Sequence, residues 1–132
     1  MKKLLLVAAI IILGSCAPRY DSNRASEIIS RMHEADTLTS GAYLEAVDEL
    51  EIMLAEVCDM ADSLVQRGVR RADVRDSLRR NSRYMKLSQQ AYELDTLVLD
   101  YMKRPYDSRE VRKKYDDVLR RYNKRALALG LN

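Results

Sequence analysis

Few side chains of this 132-residue chain belong to types that perform acid–base or nucleophilic chemistry. His33 is the single histidine. No HExxH motif or paired-histidine metal site is therefore available, and a Ser/His/Asp set would have to be built around this one ring. Cys16 and Cys58 are the two cysteines, too few for a disulfide framework, a CxxC pair or a cysteine-based zinc site. Carboxylates are plentiful between residues 45 and 62, but helical spacing puts Glu45, Asp48, Glu49, Glu56, Asp59 and Asp62 on an outer, solvated face. A general acid needs a carboxyl held in a dry pocket, which such a face does not provide. The expectation is a non-enzymatic protein with no catalytic residue, no metal and no cofactor.

Arginine and lysine are the more informative side chains. One cluster comprises Arg67, Arg70, Arg71, Arg75, Arg79, Arg80, Arg83 and Lys86, and a second Arg112, Lys113, Lys114, Arg120, Arg121, Lys124 and Arg125. Residues 16–66 hold 3 basic and 11 acidic side chains, a balance of −8, whereas residues 67–132 hold 18 basic and 9 acidic, a balance of +9. The plainer account is that an acidic helix lies beside basic ones, with opposite charges flanking a packed seam. The functional account is a polyanion site built from Arg71, Arg75, Arg79, Arg80, Arg83, Lys113, Lys114, Arg120 and Arg121, since planar guanidinium groups suit phosphates and carboxylates. Tyrosine is overused, with eight Tyr and neither Phe nor Trp. Most of these rings fall on apolar seams, which leaves Tyr20 and Tyr106 as the freer candidates for stacking on a glycan.

The first sixteen residues carry an address. Lys2 and Lys3 precede an unbroken apolar run from Leu4 to Leu13, followed by the small residues Gly14 and Ser15 and then Cys16. That is the layout of a secretory signal, and the run is too short for a membrane span, which needs ~20 apolar residues. The segment Leu13-Gly14-Ser15-Cys16 resembles the lipobox of bacterial prolipoproteins. The resemblance implies cleavage between Ser15 and Cys16, a diacylglyceryl group on the Cys16 thiol and usually an acylated Cys16 amine, the covalent lipid being the one added group expected. It divides the chain into a signal peptide at 1–15, a lipidated cysteine and short tether at 16–23, and a helical domain at 24–132. Ala17, which is not acidic, follows the cysteine, and by resemblance to diderm lipoproteins this favours the outer over the inner membrane of the cell envelope. Removing Lys2 and Lys3 lowers the formal charge from +3 to +1. Lipidation also leaves Cys58 without an intrachain partner.

The elements that position these side chains read as helices only, because apolar residues recur at steps of three and four and Gly and Pro are few. A short helix fits residues 22–36 through Ala25, Ile28, Ile29, Met32 and Ala35. A second, over 42–67, carries the seam Tyr43, Val47, Leu50, Leu54, Val57, Ala61 and Leu64, with Gly68 as its stop. A third is expected without interruption over 73–103; Val74, Leu78 and Met85 mark a weakly anchored start, and Tyr84, Leu87, Ala91, Leu94, Val98 and Tyr101 a strongly amphipathic remainder. Pro105 stops it, and Asp107 with Glu110 reads as a capping box for a fourth helix carrying Val111, Tyr115, Val118, Tyr122, Ala126 and Leu129. Short connections make these a small antiparallel bundle of three long helices and one short one. Ile52 stands out on the acidic face of the second helix, between Glu45 and Asp59, and is the candidate partner surface. With a tether this short, partners are expected to be the membrane and another envelope protein or a second copy, and nucleic acid is not among them.

Overall fold

Thr39 and Gly68 bracket the longest helix, each through a specific bond. The Thr39 hydroxyl accepts from the Ala42 amide at 3.3 Å, supplying a partner to one of the four orphan donors of a helix start. At the other end Gly68 adopts φ 98°, and the amides of Gly68 and Val69 return to the carbonyls of Val65 and Leu64, both at 3.0 Å. This is the reversal that glycine permits without a Cβ clash. The structure is a computed structural model describing residues 19–34, 39–104 and 107–131. Its helices are α1 (Ser22–Glu34), α2 (Ser40–Gln66), α3 (Val74–Arg79, entered by a 3-10 turn over Arg71–Asp73), α4 (Ser82–Tyr101) and α5 (Arg109–Ala128). No strand occurs among the described residues, and the fold is an all-α helical bundle.

The central element is α2. The ion pair of Glu56 with Arg83 and the contact of Tyr43 with Tyr101 show that α4 runs antiparallel to α2, and the pairs of Asp48 and Asp59 with Lys114 and Arg125 that α5 runs parallel to it. The short α1 lies across α2 and α4. The main core joins Ile28, Ile29 and Met32 of α1 to Val47, Leu50, Met53 and Val57 of α2, Leu87, Leu94 and Val98 of α4, and Val111, Tyr115 and Val118 of α5. Tyr43 and Tyr101 stack at 3.8 Å between ring centroids, so these seam tyrosines pack as expected. Ala35 and Tyr106 lie outside the described residues.

The expected third helix is broken, and the reason is geometric. Leu78 and Leu87 are nine positions apart, about two and a half turns at 3.6 residues per turn, and would lie on opposite faces of one straight helix. Both are buried, Leu78 in a second cluster with Cys58, Ala61, Val74 and Leu129 and Leu87 in the main core. The chain breaks at Arg80-Asn81, where the Asn81 side chain caps α4 by accepting from the Tyr84 amide at 3.1 Å. The elbow thus re-phases the helix. Val74 and Leu78 are well anchored, contrary to the weak start expected, while Met85, which shares Leu78's phase, is left 51% exposed.

Two further local readings are corrected. Asp107 and Glu110 form no capping box: Ser108 is the residue before α5 and makes no side-chain cap, its hydroxyl donating instead to the Arg104 carbonyl. The packed domain also begins before residue 24. Tyr20 is buried and α1 starts at Ser22, which leaves residues 17–19 between Cys16 and the bundle.

Candidate functional site

The carboxylates of α2 do not form a free acidic face. Six of them meet a basic side chain from a neighbouring helix: Glu45 with Arg31 at 3.3 Å, Glu49 with Arg24 at 2.9 Å, Glu56 with Arg83 at 3.2 Å, Asp59 with Arg125 at 2.6 Å, Asp48 with Lys114 and Glu51 with Arg121. The hydrogen bond to Asp59 raises the Arg125 guanidinium above its ordinary value. Glu49 is a correction to the outer-face reading, since it is buried beneath α1. Ile52 is another: it is half-buried against the main core rather than exposed. The burial of Glu49 was not readable without knowing where α1 lies.

The two basic clusters therefore have different fates. Of the candidates on α5, Lys114 and Arg121 are consumed by α2 and Arg120 pairs with Asp117 on its own helix at 2.6 Å; Lys113 is exposed. Arg83 pairs with Glu56, and its guanidinium lies 5.2 Å from the Tyr20 ring centroid. The elbow is unlike the rest. Arg67, Arg70, Arg71, Arg75, Arg79 and Arg80 are all exposed, and the acids within the elbow are Asp73 and Asp76, joined to Arg70 at 3.1 Å and to Arg79 at 3.8 Å. Exposed pairs of this kind are worth little. The elbow itself is held firmly, because Val74 and Leu78 are buried and the Arg71 carbonyl packs against Gly130 at the end of α5.

Tyr20, read as free, is instead a fixed point. Its hydroxyl donates to Gln90 Oε1, whose amide in turn donates to Ser26 Oγ at 2.9 Å and to the Ser22 carbonyl at 3.1 Å. Burial raises its pKa. Arg19, one residue earlier, borders a depression with Met60, Arg67, Ser77 and Asn81. The chain therefore enters the bundle at the end that carries the elbow.

A second surface was not anticipated. Met85, Tyr92 and Leu99 are 51%, 76% and 43% exposed and stand seven residues apart along α4, a spacing that aligns side chains for pairing with another helix. Beside them a groove of about 260 Å³ opens between α4 and α5, lined by Leu50, Leu54, Ala91, Tyr92, Asp95, Tyr115 and Leu119. Tyr115 fixes its wall by donating to Asp95 at 2.7 Å. The seven-residue step was present in the sequence, opposite the stripe of Leu87, Leu94 and Val98, but only the packing shows that no other helix of the bundle covers it.

Other groups that bear chemistry are dispersed. His33 is exposed and contacts Glu93 at 3.1 Å. Cys58 is buried under a groove of about 250 Å³ between α2 and α5, and burial raises its thiol pKa. Among the described residues there is no group of His, Cys, Asp and Glu able to hold a metal ion, and no helix long and apolar enough to cross a membrane. No protein-family model matches the chain, and neither a curated protein nor a solved structure does.

Proposed function

We propose that this chain is the precursor of a lipid-anchored envelope protein, held by acylated Cys16, whose mature bundle is a non-enzymatic interaction module that docks a helix of a different envelope protein along α4. The observation that carries the docking is the exposed line Met85, Tyr92 and Leu99 beside the α4–α5 groove. Apolar side chains at this spacing, left uncovered, are the half-site of a two-helix seam. The charges on α4 specify the occupant. Lys86 adjoins Met85, and Asp95, the acid that lines the groove, lies toward Leu99, so a fitting helix is acidic beside Met85 and basic beside Leu99. A second copy would meet that order only when antiparallel, which would carry its own Arg19 end away from the membrane that anchors the first. A different protein satisfies both conditions.

A photocrosslinking residue placed at 85, 92 or 99 of the full chain, in cells, tests this reading. The expected result is one adduct, common to the three positions, absent from a probe at exposed Glu27, and weakened by Lys86→Glu. An adduct of twice the chain's mass would assign the face to a second copy, and no adduct would remove the docking surface. Intact-mass measurement tests the anchor independently: diacylglyceryl mass on a chain beginning at Cys16 is expected, and its absence overturns the lipoprotein reading.

A further inference from the structure

Resting on the anchored reading above, we infer that the arginine-rich elbow is the membrane-facing surface of the bundle, its guanidinium groups contacting the phosphates of an anionic lipid surface. Three observations meet at one end of the molecule. The first is a charge surplus that the fold does not neutralise. The segment 67–81 holds six arginines against two aspartates, whereas the basic side chains of α5 that face α2 are paired across the helix interface. The opposite end of the bundle mixes signs, with Asp100, Asp107 and Glu110 among Lys103, Arg104 and Arg109. The elbow thus carries an exposed basic surplus that the mixed far end does not.

The second observation is where the tether enters. Tyr20 is held through Gln90 and lies under Arg83, and Arg19 shares a depression with Arg67 and Asn81. Cys16 is three residues upstream of Arg19. At ~3.3 Å per residue an extended link reaches about 10 Å, which matches the screening length of ~10 Å at 0.1 M salt. Arg19 therefore stays within electrostatic range of the surface that holds the lipid, and Arg67 of the elbow lines the same depression. The third is rigidity: the elbow is pinned by Val74 and Leu78 and by the Arg71–Gly130 contact, so its backbone needs no ordering at the moment of contact and only the arginine side chains are immobilised. Planar guanidinium donors bind phosphate oxygens in pairs. The lipid then supplies attachment and the elbow supplies orientation, with α4 presented along its length above the surface.

The test is arginine footprinting of the full lipidated chain reconstituted into vesicles. Phenylglyoxal modification of Arg67, Arg71, Arg75 and Arg80 is compared between phosphatidylcholine vesicles and vesicles containing phosphatidylglycerol. Modification of the elbow is expected to fall about five-fold or more in the anionic vesicles, to recover at high salt, and to remain unchanged at Arg109 and Arg120. The variant R71A/R75A/R80A, checked for helicity, should lose the protection of Arg67. Equal reactivity in both vesicles overturns the inference. Protection produced by inorganic phosphate in neutral vesicles assigns the patch to a soluble anion and overturns it as well. Because the same sample is weighed intact, a chain without lipid on Cys16 marks failure of the anchor, and lipidated chain with an unprotected elbow marks failure of this inference alone.

Discussion

Arg24 and Glu49 join α1 to α2 through a pair in which the Nε of Arg24 lies 2.9 Å from a carboxylate that is only 4% exposed, while the guanidinium side remains 38% exposed. A second donor, Nη2, reaches the other carboxylate oxygen at 3.3 Å. The hydrogen bond to Glu49 raises the Arg24 pKa. This pair explains why a carboxylate in an acidic run on α2 is buried: α1 covers it and brings the counter-charge.

Removing Arg24 strands the Glu49 charge, so Arg24→Ala should lower unfolding free energy by about 3 kcal/mol, the lower end for broken buried pairs because the guanidinium is partly solvated. R24M/E49M should recover most of that loss, since two apolar groups leave no orphan charge. Urea unfolding of the two variants decides the matter; an equally destabilised double variant would show that packing, not charge, is what Arg24 supplies.

Two glycines have positive φ but different surroundings. Gly68 has φ 98° with open space around it, whereas Gly130 has φ 78° and an added Cβ would meet the Arg71 carbonyl at 2.4 Å. Gly68→Ala should cost about 1–2 kcal/mol, the penalty for an L-residue in the left-handed region. Gly130→Ala should cost more and loosen the elbow, seen as faster amide exchange at Arg71–Asp73. Equal losses in the two variants would contradict the close approach.

Tyr115 is buried against the core and donates to Asp95, and burial followed by that bond raises its pKa well above the ordinary 10.0. Burial raises Tyr43 and Tyr122 in the same direction. The folded state holds these protons where the unfolded chain releases them near pH ~10, so the stabilisation is complete below that pH and is lost progressively as pH rises from there through the higher folded-state values. Unfolding free energy should be flat from neutrality to about pH 9 and fall steeply above ~10, with a shallower fall in Tyr115→Phe. A curve unchanged by that substitution would exclude Tyr115 as a contributor.

Cys58 is 1% exposed, and burial outweighs nearby Arg125 in raising its thiol pKa. Only thiolate reacts, so a maleimide should label the folded protein through rare openings, at a rate that rises by orders of magnitude in urea. Rapid labelling of the native protein would mean that the α2–α5 groove opens readily.

The three-and-four spacing of apolar residues determined which segments become helices and which stripe of each is buried, because that spacing marks one side of a helix wherever it lies. Val47, Leu50 and Leu94 went to the core as their spacing required, and Gly68 stopped α2 because only its backbone turns freely there. The resemblance of Leu13-Gly14-Ser15-Cys16 to a lipobox was legible for the same kind of reason, being carried by a contiguous string. Spacing does not say which neighbour covers a stripe, or where one helix must stop so that another phase can begin. Glu49 was covered by α1, Tyr20 was fixed by its bond to Gln90 seventy positions away, and the expected third helix had to break because Leu78 and Leu87 serve two different clusters. Likewise, the charge division was plain in the composition, but only the packing of α5 on α2 separated arginines that balance an acidic helix from those left exposed at the elbow. Such contacts join residues far apart in the chain, and no local pattern records them; the tertiary structure alone brings Arg19 and the elbow to one end.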